Sequence, residues 1–96
     1  MNPRVVKFLV VVVLKKDETL MELMIAMDLV KSGGVVFGDD WGWPAVAEDV
    51  TRYANQTRLP AVPKYIQERF AIQHKLPEQP VEGVLLIDGQ WIIPKL

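Results

Sequence analysis

The sequence predicts a small α/β domain with elements in the order β-α-β-α-α-β-β, and three stretches carry that prediction. Val5 to Leu14 is rich in β-branched residues and does not alternate, the pattern of a parallel strand covered on both faces. Gly33-Gly34 followed by Val35-Val36-Phe37 reads as a helix exit and a short interior strand. Glycine accepts the left-handed backbone that a helix stop needs, and three apolar β-formers are too few for a helix. Val84-Leu85-Leu86-Ile87 and Gln90-Trp91-Ile92-Ile93 flank Asp88-Gly89, the signature of a two-residue type I′ hairpin.

Taken in order, the first strand is also the greasiest run. Phe8 to Leu14 is shorter than the ~20 apolar residues of a membrane span and stops at Lys15-Lys16. The charged KKDET segment offers no small-residue cleavage site, so neither a membrane anchor nor a signal peptide is expected. A buried strand is the reading, with a buried helix as the alternative. Asp17 or Thr19 can cap the helix predicted over Thr19 to Lys31, where Leu, Met, Glu and Ala dominate. Its polar positions fill less than half the wheel, and Met21, Met24 and Met27 form a stripe beside the expected core face. A helix this apolar needs cover on more than one side, so self-association as a homodimer is expected.

The next helix runs from Pro44, a first-turn proline, to about Thr57. Val46, Val50, Tyr53 and Thr57 line one face, and Glu48 and Asp49 are placed in the first turn, where the macrodipole favours them. A third helix is predicted from Pro63 to Gln73, with Val62, Tyr65, Ile66 and Phe70 on one side. Leu76 to Pro80 holds two prolines and reads as a loop. His74, the single histidine, has no nucleophile or acid partner pattern around it and reads as solvated.

Ninety-six residues make one domain, 1–96, near the lower limit for a self-sufficient core. Half the residues are hydrophobic, and eleven basic side chains nearly cancel twelve acidic ones, which excludes a disordered tail or a general nucleic-acid coat. With no cysteine there is no disulfide, thiolate zinc site or cysteine nucleophile, and the cytoplasm is the default compartment.

The run from Asp28 through Lys31-Ser32-Gly33-Gly34-Val35-Val36-Phe37-Gly38-Asp39-Asp40-Trp41-Gly42-Trp43-Pro44-Ala45-Val46 resembles the later half of a class I S-adenosylmethionine-dependent methyltransferase. The small-molecule and sugar O-methyltransferases are the most similar branch. The likeness covers residues 18 to 58 well and 81 to 95 loosely. It implies a partial Rossmann-like half ending in an antiparallel hairpin. It also implies that Asp39 and Asp40 are ligands of a divalent cation such as Mg²⁺, hard oxygen donors at a strand end, and that Trp41 and Trp43 wall an acceptor pocket. The family's glycine-rich cofactor loop belongs to the other half, and no GxGxxG cradle occurs here. Its acidic patch on the preceding strand falls near Val11 to Leu14, which are apolar. The resemblance therefore implies a truncated relative that is inactive alone. S-adenosylmethionine is expected only if a partner supplies the missing half.

A second architecture fits the same order of elements: a winged helix, H1-S1-H2-H3-wing, with Val5 to Leu14 as an extra helix. Its nucleic-acid contacts would come from the basic segment 58–75 (Arg58, Lys64, Gln67, Arg69 and Lys75) and from the hairpin 84–93. Secondary structure at Val5 to Leu14 separates the two: a strand favours the first, a helix the second.

Overall fold

Apolar strand segments that do not alternate call for cover on both faces, and the chain builds one mixed sheet with helical segments on either side. The computed structural model describes residues 8–11 and 16–96. Its elements are β1 (Phe8–Val11), α1 (Lys16–Leu29), β2 (Val35–Gly38), α2 (Pro44–Thr57), α3 (Lys64–Gln67), β3 (Glu78–Val81), β4 (Val84–Ile87) and β5 (Gln90–Pro94). A 3-10 turn, Glu68–Phe70, follows α3 directly. The strands form a five-stranded sheet in the order β1-β2-β5-β4-β3. β1 and β2 are parallel, Phe8 opposite Val35 and Val11 opposite Gly38, while the other three pairings are antiparallel.

Residues 8–11 are therefore strand rather than the extra helix that the winged-helix order requires. The remainder of the Val5–Leu14 prediction, residues 5–7 and 12–14, lies outside the described residues. α1 begins at Lys16, so Asp17 and Thr19 fall inside the helix and do not cap it. Gly33 leaves α1 with φ +89°, the left-handed geometry assigned to the glycine pair.

One face of the sheet is covered by α1 and α2. Leu23, Ala26, Met27 and Val30 pack with Val36, Val46, Val50, Tyr53, Val84, Trp91 and Ile93. The other face is thinner: Ile66 and Phe70, from α3 and the 3-10 turn, lie over Phe37, Leu85, Ile87 and Ile92, with Val62 beside them. Each fully buried aliphatic side chain contributes ~1.5–3 kcal/mol of transfer free energy, so the first layer dominates the core.

α2 has the predicted bounds. Its first turn contains no acid, because Glu48 and Asp49 fall one turn later, with Glu48 exposed and Asp49 wholly buried. Thr57 is exposed, and its hydroxyl donates to the Tyr53 carbonyl at 2.6 Å. The predicted third helix over 63–73 is much shorter. By Phe70 the chain has already placed Ile66 and Phe70 on the sheet, Ala71 turns extended, and Gln73 and His74 take positive φ in a tight turn closed by an Ile72–Lys75 bridge. Tyr65, assigned to the inner side, points outward.

The Leu76–Pro80 stretch is not all loop: Glu78–Val81 is the edge strand β3. Pro80 is tolerated there because an outer strand need not donate on its free side. Gln79 braces this edge, its Oε1 accepting from Val62 N at 2.8 Å and Gly83 N at 3.0 Å. The β4–β5 turn has the predicted form, with Asp88 at φ 49° and Gly89 at φ 77°.

Candidate functional site at the carboxyl end of β2

Parallel pairing of β1 with β2 puts their carboxyl ends side by side, the place where open α/β sheets hold ligands. β2 ends at the buried Gly38. Asp39 is exposed, Asp40 is half-buried with φ 66°, and neither carboxylate has a partner among the described residues. Aspartate is one of the few residues that take a left-handed backbone at modest cost. From Asp40 the chain turns into α2: Trp43 N donates to the Asp40 carbonyl at 2.9 Å, and Trp41 N donates to the Gly89 carbonyl at 3.2 Å. The second bond ties the acidic loop to the β4–β5 turn. It brings the end of the hairpin, with Asp88, to the same rim as Asp39 and Asp40.

The aspartates do not cap α2. Its N-cap residue is Trp43, which makes no side-chain capping bond. Trp41 is partly buried and packs against the core formed by α1 and α2, whereas Trp43 stands half-exposed at the helix entrance. The two indoles thus have different surroundings, one a packing residue and one turned to solvent.

Hard cations take six or more oxygen donors, of which Mg²⁺ draws one or two from carboxylates and the rest from water or substrate. Among the described residues no group of three or more Asp, Glu or His side chains converges to hold a metal ion. Asp39 and Asp40 supply a pair of carboxylates, and Asp88 on the same rim does not complete a cage with them. Among the described residues the donor set is smaller than that of a dedicated metal centre. Nothing in the local sequence pointed to Asp88, whose position follows from the sheet order.

No family profile, curated protein or solved structure matches the chain.

The basic residues lie elsewhere. Arg58 is the left-handed C-cap of α2, with φ 52°, and its N–H bonds Ala54 O and Asn55 O. Lys64 opens α3, Arg69 lies in the 3-10 turn and Lys75 closes the Ile72 bridge; all four cations are exposed. Gln67 is committed internally, its Nε2 donating to the Val62 carbonyl at 2.9 Å. The helix that would probe a groove is the four-residue α3.

A cleft of about 490 Å³ opens at the opposite, amino end of β2. It is lined by Val35 and Pro94 from the sheet and by Tyr65, Ile66, Arg69 and Phe70 from the α3 segment. The sequence gives no sign of it, because it forms where the short α3 layer leaves the sheet uncovered. Among the described residues no helix is long and apolar enough to cross a membrane.

Proposed function

We propose that this chain is a methyltransferase-like half-domain that transfers no methyl group by itself and acts by self-association. The observation that carries the proposal is on α1: Met21, Met24, Ile25 and Leu29 are 64%, 57%, 58% and 58% exposed. Four large apolar side chains on one outward face exceed the scattered exposure that monomers tolerate. Among the described residues β1, the strand just before this helix, ends the sheet, and a strand edge is a template for pairing. The two features adjoin in the chain, and a second copy can cover both.

The methyltransferase-like part of the proposal rests on the resemblance over residues 18 to 58. It is supported by the β1-α1-β2 unit with parallel strands and by the paired aspartates that follow β2. In this reading Asp39 and Asp40 meet a divalent cation only when a partner contributes further oxygen donors.

Sedimentation velocity across a concentration series tests the proposal. A two-chain species that dissociates on dilution is expected, and a single-chain species at every concentration overturns it. Calorimetry with S-adenosylmethionine and Mg²⁺ at ~100 μM protein, enough to detect micromolar binding, is expected to show no saturable heat. Saturable heat with the cofactor would make the isolated chain a cofactor-binding enzyme instead.

A further inference from the structure

We infer that the cleft at the amino end of β2 is a binding site for a small aromatic carboxylate. Its size lies within the ~300–1,000 Å³ range of small-molecule pockets. Its lining is that of a site for an apolar body: Val35, Pro63, Ile66 and Pro94 are aliphatic, and Tyr65 and Phe70 add two aromatic rings, against which flat ligands pack favourably.

The charge decides the head group. Arg69 lines the cleft, and its guanidinium makes no hydrogen bond or ion pair among the described residues. Lys95 also borders the cleft and adds positive charge, but its ammonium is held by the Met27 carbonyl near the end of α1, whereas the Arg69 guanidinium is bound to no group among the described residues. Among the described residues no acidic side chain lines the cleft. Lys64 on α3 adds to the positive field nearby, and only Glu68 opposes it within the segment 58–75. A planar guanidinium beside an apolar slot matches a carboxylate that it can grip with two parallel N–H bonds. The basic segment 58–75 thereby gains a role that needs no nucleic acid.

The cleft lies on the α3 side of the sheet, away from the exposed face of α1, so this inference stands or falls apart from the self-association reading. The test is nuclear magnetic resonance titration of the full chain with 2-naphthoate and with its neutral analogue 2-naphthamide. Naphthoate is expected to give saturable shifts at Val35, Tyr65 and Phe70. Arg69→Gln, at an exposed position, is expected to weaken naphthoate roughly tenfold, the effect of losing a charged hydrogen bond, and to leave naphthamide unchanged. Tyr65→Ala is expected to weaken both ligands alike while the dispersed spectrum of the folded chain persists. Absence of saturable shifts, shifts centred on Met21 and Leu29, or naphthoate affinity indifferent to Arg69→Gln would each overturn the inference.

Discussion

Gly83 stands where the β3–β4 turn presses on the exit of α2. Its φ is +89°, and a Cβ there would collide with the Leu59 side chain and crowd the Pro60 carbonyl. Gly89, at φ +77°, has open space around it. Left-handed strain alone costs ~1–3 kcal/mol, and overpacking adds ~1–3 kcal/mol. Gly83→Ala should therefore lower stability by about 2–5 kcal/mol and Gly89→Ala by about 1 kcal/mol, read as urea midpoints at constant slope. Gln79 offers a second test. Its Oε1 serves two part-buried backbone N–H groups, and removing it strands both, so Gln79→Ala should cost about 2–4 kcal/mol. Gln79→Glu keeps the acceptor and should cost less.

Tyr53 links residue chemistry to pH. Burial in the α2 core face disfavours the phenolate and raises its pKa above the ordinary 10.0, with the hydrogen bond to Thr57 pulling the other way. The folded state then holds the proton more tightly than the unfolded chain. This contribution is complete below the unfolded value and is lost as pH rises through the folded one. Denaturation above pH 10.0 should show stability falling with pH, and Tyr53→Phe should flatten that fall.

At the scale of elements, what the sequence announced were the segments with local punctuation. Pro44 starts α2 and Arg58-Leu59-Pro60 ends it, Gly33-Gly34 opens onto β2, and Asp88-Gly89 fixes the hairpin. α3 and β3 were misread because their limits are set by the sheet. α3 stops once Ile66 and Phe70 have reached their places, and β3 forms because β4 offers an edge to which a proline strand can be added. The acidic loop was legible in its residues but not in its neighbours, since the bond from Trp41 to Gly89 joins positions far apart in sequence.

α1 is apolar on both sides, so periodicity gave its length without saying which side faced inward. Met27 turned in, while Met21, Met24, Ile25 and Leu29 turned out. Met21 and Leu29 lie symmetrically about Ile25 at four-residue spacing, so an antiparallel pair of α1 helices would set Ile25 against its own copy and Met21 against Leu29. At a 1.5 Å rise per residue, it would also hold the two copies of Asp28 about 9 Å apart along the axis, whereas parallel helices would bring them face to face. The chain has no cysteine, so single-cysteine variants report directly. Ile25→Cys should oxidise to a disulfide-linked dimer and Met21→Cys should not, except when mixed with Leu29→Cys. Cross-linking at all three positions separately would indicate parallel helices, and at none of them a dimer held by β1 edges.

For the whole molecule, the unequal layers set the division of roles. The α1 and α2 side holds most of the buried core and also carries the exposed apolar face of α1. The α3 side is thin enough to leave a cleft, and the strand ends between them carry three aspartates, which form no metal-holding group among the described residues. Ile25→Lys, which places a charge in the middle of the exposed face without touching the core, should shift the sedimentation profile to the single chain. It should leave the unfolding midpoint extrapolated to low concentration within about 0.5 kcal/mol of the parent, the usual range for surface substitutions.

Pro80 gives the two flanks of the sheet different fates. On the β3 flank its ring takes a backbone N–H away from the outer strand, which disfavours the addition of a further strand there. Among the described residues β1 forms the other flank, and under the self-association proposed above two copies joined there would leave a proline-bearing strand at either outer end. Under that proposal a finite pair is expected rather than an open-ended fibre.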